Sequence, residues 1–233
     1  MKKPIIINND TKLSDIISFY PFIITQFEHL NINIPVEEKN ISDIAKENKI
    51  NTNFLKFIIE YILNNKIIEQ YTPQIDDITI LLLYLKNNHD YFIKYMFPHI
   101  DKIINKTYDE THQDEILLIK KFFQEYNKEV LEHFEYENQI VFPYITKLYN
   151  SIDKKEKITS DYCVEEYKNH HDDIEEKLND LKNLLIKYLP STIKSDFRKR
   201  LLFNLYQLEK DLDVHSYLED KILIPLVEKL EAY

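Results

Sequence analysis

The sequence contains no glycine and no tryptophan, and it has one cysteine among its 233 residues. P-loops and Rossmann dinucleotide motifs need glycine where the backbone turns close to the ligand, so both classes are excluded. Tight β-hairpins also usually need glycine, which makes a sheet-rich fold a poor fit. The single Cys163 excludes an intramolecular disulfide and a cysteine-rich zinc site.

The sequence also lacks a concentrated basic region and a long apolar segment. Its 30 basic and 40 acidic residues are interleaved and give a formal net charge of -10. Nucleic-acid binding needs a basic face, so we expect no nucleic-acid partner. No apolar run approaches the roughly 18 residues of a transmembrane helix, and no signal peptide is recognisable. We therefore expect a cytoplasmic protein with no membrane partner.

Helical patterns divide the sequence into two parts near Pro73, a residue that breaks helices. Residues 1–70 contain short amphipathic segments and are predicted to form a small helical N-terminal domain, in which Ser42 is a candidate N-cap. Residues 74–233 contain four long apolar stripes with alternating steps of three and four residues, as in amphipathic helices. An all-α, up-down-up-down four-helix bundle with short loops is the simplest assembly.

Each of the four stripes carries a histidine at a position where an apolar residue is expected: His89, His133, His171 and His215. A glutamate follows one turn later in two of them, and a buried carboxylate is costly unless it is paired or bound to a metal. In antiparallel helices, residues at one level are equally far from the intervening turn. The midpoints between successive histidines, residues 111, 152 and 193, fall in predicted loops, so we expect the four histidines to share one layer.

The two glutamates belong to a repeated motif, H-x3-E-x5-P, at residues 133–143 and 215–225. The i,i+4 spacing places both side chains on one face of a helix. Imidazole and carboxylate without thiolate suit iron or manganese better than structural zinc. Two such helices, each facing a helix with one histidine, favour a dinuclear centre. We expect two non-haem iron ions with an oxo or carboxylate bridge, in preference to zinc or manganese, held by His89, His133, Glu137, His171, His215 and Glu219.

Other polar residues near the stripes remain open as additional ligands: His99, His112, His170 and Glu175. His29, in the N-terminal part, is expected on the surface. Three tyrosines near the ligand layer are expected to fill the core: Tyr126, Tyr136 and Tyr217.

These motifs, together with His89-Asp90 and His171-Asp172, resemble the hemerythrin-like domain of the repair-of-iron-centres di-iron proteins. Oxygen-carrying hemerythrins instead have H-x3-H in the third helix, where this chain has Glu175. They also end with H-x4-D, a spacing that Asp220 satisfies from His215. Glu219 is preferred as the ligand because it lies on the apolar stripe and repeats the pattern of Glu137.

The N-terminal part resembles the small helical domain that precedes the bundle in the same family. That domain usually carries a tandem Cys-Cys followed by glycines. Residues 33–39 occupy the corresponding stretch here and contain neither. We therefore expect no thiol-dependent step in this domain. We expect it to act as a scaffold or to dock a partner.

The resemblance implies a di-iron protein of the nitrosative and oxidative stress response that repairs iron–sulfur clusters or donates iron. Its expected ligands are O₂, NO or peroxide, and damaged iron–sulfur proteins are its expected partners. An O₂- or NO-binding sensor module and a di-iron reductase of NO or peroxide are the alternatives, so enzymatic activity stays open. A homodimer is also open.

Overall fold

The computed structural model describes residues 5–64, 71–152, 162–169 and 174–232. The described residues are predominantly helical and contain no strand, only an isolated antiparallel bridge between Lys12 and Asn40. The predicted all-α class is confirmed. None of the helices described is long and apolar enough to cross a membrane.

Four short helices form the N-terminal region: α1 Leu13–Phe19, α2 Ile23–His29, α3 Ile41–Glu47 and α4 Thr52–Asn64. The predicted N-cap of α3 was wrong. Asn40 caps this helix, since its side chain accepts a bond from the Asp43 amide at 2.9 Å and the Asp43 carboxylate accepts one from the Asn40 amide at 3.2 Å. This reciprocal capping box satisfies two backbone donors, whereas Ser42 already lies inside the helix.

The remaining helices follow the four predicted stripes: α5 Asp77–Tyr91, α6 Phe97–Thr111, α7 Asp114–Tyr136, α8 Phe142–Ile152, α9 Val164–Asn169, α10 Ile174–Asn183, α11 Ser195–Leu218 and α12 Ile224–Glu231. Short π-helical segments connect α5 to α6, α7 to α8 and α11 to α12, so each pair continues as one long helix. The first loop predicted in the bundle, around residue 111, is a tight turn. Helix α6 extends to Thr111, and His112 reverses the chain in the left-handed region with φ 52°.

The three π-helical segments that link two α-helices, Phe92–Met96, Glu137–Val141 and Glu219–Leu223, end two residues before a proline. The fourth described segment, Leu184–Tyr188, likewise ends two residues before Pro190. Pro98, Pro143 and Pro225 cannot donate the hydrogen bond to the carbonyl four residues back that an α-helix requires. The residue before each proline donates five residues back instead, to the carbonyls of Phe92, Glu137 and Glu219. The prolines therefore lie at a widened turn, the kind of irregularity often found at functional sites.

Contacts divide the chain into two compact units. Unit 1 comprises the described residues of Met1–Asn88, Thr146–Thr159 and Val214–Tyr233, and unit 2 those of His89–Ile145 and Ser160–Asp213. Unit 2 has one apolar core to which all four long helices contribute, including Phe97, Phe123, Leu181 and Leu205. The predicted sequence boundary between residues 70 and 74 stays a prediction.

Unit 1 contains its own apolar contacts. Helix α4 is buried along most of its length, and Tyr61 on it stacks on Tyr217 with ring centroids 3.6 Å apart. The Ile7 amide donates to the carboxylate of the buried Glu60. The Tyr61–Tyr217 stack joins α4 to the C-terminal end of α11 within unit 1.

Candidate metal centre

Most of the predicted ligands are buried. His89, Glu137 and Glu219 are 0% exposed and His215 is 2% exposed, while the His133 side chain is 8% exposed. His171 lies outside the described residues. Burying imidazoles and carboxylates away from water is costly unless a proton or a metal ion compensates them.

In unit 2, the Glu137 carboxylate lies between two imidazoles. His89 Nε2 is 3.2 Å from Oε2, and His133 Nε2 is 3.4 Å from Oε1. Each oxygen therefore faces a different histidine. Two ligands on one metal ion, each about 2.1 Å from it, are roughly 3 Å apart. The observed spacings would allow each pair to share a cation.

The His89 ring is held by contacts on its faces and at its other nitrogen. Phe134 and Phe142 stack on the ring, with centroids 4.0 and 5.5 Å away. His89 Nδ1 is 3.2 Å from Asn138 Oδ1, an acceptor, so the proton belongs on Nδ1 and the Nε2 lone pair points at Glu137. Two acceptors 3.2 Å apart are stabilised by a proton or a metal ion between them. A hydrogen bond at the other nitrogen is how proteins orient histidines that bind metals.

A tyrosine that sequence reasoning missed also contacts Glu137. The Tyr167 hydroxyl donates to Glu137 Oε1 at 3.0 Å and is buried. Tyr167 lies on the third apolar stripe, and nothing in a stripe separates a tyrosine that only packs from one that donates a hydrogen bond.

In unit 1, His215 and Glu219 form a pair like that of His89 and Glu137. His215 Nε2 is 3.1 Å from Glu219 Oε2, and its Nδ1 is 2.8 Å from Asn88 Oδ1. The proton again belongs on Nδ1, which leaves the Nε2 lone pair facing a carboxylate. A signal for Asn88 exists in the sequence, because Asn88, Phe92 and Pro98 repeat the spacing of the H-x3-E-x5-P motif.

The predicted surface position of His29 was wrong. His29 is 2% exposed, at the end of α2, and Asn88 Nδ2 is 3.1 Å from its Nε2. Burial lowers the pKa of His29 from 6.5 to about 3, and its electrostatic interaction with His215 acts in the same direction. His29 is therefore a neutral acceptor. Its short N-terminal helix gave no periodicity long enough to reveal which face is buried.

The other sequence candidates are dispersed. His99 and His112 are exposed, while His170 and the side chain of Glu175 lie outside the described part of the chain. Tyr126 packs in the core of unit 2 as predicted. The other two tyrosines make specific contacts: Tyr136 donates to the Tyr162 hydroxyl at 3.0 Å, and Tyr217 stacks on Tyr61.

The donor chemistry fits a cation that prefers nitrogen and oxygen ligands. His89, Glu137, His215 and Glu219 are all buried and each offers an imidazole nitrogen or a carboxylate oxygen. Cys163 is exposed, so no thiolate is available from the buried donors. Imidazole with carboxylate suits iron, manganese or zinc in a non-thiolate site.

The family model of the Hemerythrin HHE cation binding domain matches residues 81–227 of the chain. The match covers more than half of the chain and includes both H-x3-E-x5-P motifs. Comparison with curated proteins and with solved structures finds no match.

Proposed function

Because this chain belongs to the hemerythrin HHE cation-binding domain family, we propose that it is a cytoplasmic non-haem di-iron protein of the nitrosative and oxidative stress response. Cation binding follows from the family and from the buried histidine and glutamate donors. We propose, in addition, that the metal is iron, that two ions are bound and that the protein acts in the stress response.

The proposed ligands are His89, His133, Glu137, His171, His215 and Glu219. The position of Glu137 carries the proposal, because its two oxygens face two different imidazoles at 3.2 and 3.4 Å. A carboxylate in that position suits a bridge between two ions. By the symmetry of the motif, Glu219 is proposed as the second bridge, with two of the four histidines on each ion.

Two irons bound in this way would supply redox chemistry and open positions for O₂, NO or peroxide. The protein's own residues would exclude water and hold the imidazoles as neutral ligands. Asn138 and Asn88 fix the protons of His89 and His215 on Nδ1, so their Nε2 atoms stay available. Tyr167 donates a hydrogen bond to a Glu137 oxygen and so limits the motion of that carboxylate.

For the cellular role we favour iron donation to damaged iron–sulfur proteins. Carboxylate and imidazole ligands exchange iron without a thiol, and residues 33–39 lack the Cys-Cys pair that a thiol-dependent repair step would use. The N-terminal region would then support the metal centre or dock the partner.

Metal analysis of purified variants tests the ligand set. Glu137→Ala and His215→Ala should each lose most of the bound iron, because each removes a buried ligand. Glu135→Ala and His99→Ala are matched controls, since both residues are exposed, and should keep about two irons per chain. Retention of two irons in Glu137→Ala and His215→Ala would contradict the assignment.

An activity-recovery assay tests the role. The iron-loaded protein is mixed with an iron–sulfur hydratase that has lost iron from its cluster, and the regained activity is followed over time. Recovery faster than with the same concentration of free ferrous iron supports donation, and equal or slower recovery contradicts it. Stopped-flow spectra with NO, O₂ and peroxide then separate a sensor, which binds reversibly, from a reductase, which turns over.

A further inference from the structure

Three buried side chains in unit 1 form a continuous hydrogen-bonded line. His215 Nδ1 is 2.8 Å from Asn88 Oδ1, and Asn88 Nδ2 is 3.1 Å from His29 Nε2. All three residues are at most 2% exposed. We call this line the His29–Asn88–His215 network. It joins a residue of the N-terminal region to a proposed metal ligand.

The network has a direction because a side-chain amide has one accepting and one donating end. With Asn88 Oδ1 on the His215 side, His215 must donate from Nδ1, which leaves its Nε2 lone pair for Glu219 or a metal. The amide NH₂ then donates to His29 Nε2, which must be unprotonated. If the amide turned over, its NH₂ group would face His215 Nδ1 and would move the imidazole proton to Nε2. That nitrogen could then no longer bind a metal.

The His29 end of the network is fixed by other contacts between α2 and α5. Asn87 Nδ2 donates to the His29 carbonyl at 2.9 Å and to Asn31 Oδ1 at 3.0 Å. The Tyr84 ring meets the His29 ring edge-on at 5.3 Å, and the Tyr84 hydroxyl donates to Gln26. Tyr84, Asn87 and Asn88 lie on one face of α5, since they are spaced three and four residues apart. The position of His29 is thus determined by the docking of α2.

We propose that His29 is a positioning residue for the metal ligand His215, acting through the amide of Asn88. The N-terminal region then supports the metal centre directly. The inference rests on the proposed metal site. It also has a reciprocal consequence: if docking of α2 strengthens metal binding, metal binding strengthens docking of α2 by the same factor.

Iron affinity, measured by competition with a chromophoric chelator, tests this. His29→Leu keeps an apolar side chain of similar size but cannot accept from Asn88, and should weaken ferrous binding by about tenfold, the lower end for residues that orient ligands. His29→Gln offers an accepting carbonyl and should restore most of the affinity. Gln26→Leu is the matched control, because it removes a buried hydrogen bond between α2 and α5 outside the network.

A double-mutant cycle identifies the route. In an Asn88→Leu background, His29→Leu should cause no further loss of affinity, because the path to His215 is already broken. The same fold-loss in both backgrounds would overturn the proposal. Equal losses in His29→Leu, His29→Gln and Gln26→Leu would also overturn it, since they would reflect packing alone.

A spectroscopic readout keeps the test independent of changes in stability. Histidine ¹⁵N NMR of the protein loaded with Zn²⁺, a diamagnetic probe, should show His29 Nε2 unprotonated and Nδ1 protonated. A protonated His29 Nε2 would overturn the network as drawn. If the wild-type chain binds no iron, the proposed function fails. If wild type binds two irons and His29→Leu binds them equally well, the positioning role alone fails.

Discussion

Two imidazoles and one phenol hydroxyl contact the Glu137 carboxylate, and the two kinds of group suit different roles. His89 and His133 present imidazole nitrogens at 3.2 and 3.4 Å, whereas Tyr167 presents a hydroxyl donor at 3.0 Å. The imidazoles suit a shared cation, and the hydroxyl suits a hydrogen bond to a carboxylate oxygen. The two histidines were predicted from their positions on the stripes. The tyrosine was not, because its apolar ring satisfies the same pattern as a leucine.

Replacing Tyr167 tests its contribution. Tyr167→Phe should still bind two irons, but with an affinity about tenfold lower, because the variant loses a hydrogen bond that orients a ligand. Chelator competition measures the affinity. Tyr126→Phe, a buried tyrosine in the core of unit 2, is the comparison and should change the affinity little. Equal affinities for wild type and Tyr167→Phe would show that the hydroxyl does not orient Glu137.

His29 makes stability depend on pH in a defined window. The pKa of His29 is about 3 in the folded chain and 6.5 in the unfolded chain. Between these pH values the unfolded chain therefore binds a proton that the folded chain does not. The free energy of unfolding should therefore fall as pH is lowered from 6.5 towards 3, with a slope of up to about 1.4 kcal/mol per pH unit from this residue. Above pH 6.5 the contribution is fully present.

The measurement is the unfolding free energy of wild type and His29→Gln between pH 4 and pH 7. The difference between the two curves isolates His29 from the other titrating groups. Wild type should lose stability more steeply on acidification. Parallel curves would mean that folding does not lower the pKa of His29.

At the scale of elements, periodicity predicted the long helices well and their irregular turns poorly. The four stripes form helices because each buries an apolar face along its described residues. The π-helical segments could not be predicted from apolar spacing, although Pro98, Pro143 and Pro225 mark them. Since Glu137 and Glu219 begin two of these segments, the widened turn helps to set where both carboxylates point.

The capping box of α3 gives a prediction at the same scale. Asn40→Ala removes a side chain that accepts a bond from the Asp43 amide, and should lower the free energy of unfolding by about 1 kcal/mol. Ser42→Ala, inside the helix, should change it by less than about 0.5 kcal/mol. Urea unfolding followed by circular dichroism measures both. A larger loss of unfolding free energy for Ser42→Ala than for Asn40→Ala would indicate that Ser42 is the N-cap.

At the scale of the whole molecule, local sequence patterns predicted the fold class but not the grouping of segments. The absence of glycine and the four stripes pointed to an all-α protein, and the family match agrees. Unit 1 brings the described residues of Met1–Asn88 together with those of Val214–Tyr233, which are far apart in the sequence. Such a grouping depends on contacts between residues that are distant in the sequence. The spacing of apolar residues within one helix does not predict it. The burial of His29 was missed for the same reason.

The central claim is that six residues of this chain hold two irons. An anomalous-scattering map at the iron absorption edge, from crystals of the iron-loaded protein, tests it most directly. We expect two iron peaks per chain, bridged by Glu137 and Glu219 and bound by His89, His133, His171 and His215. A single peak, or peaks bound by other residues, would contradict it.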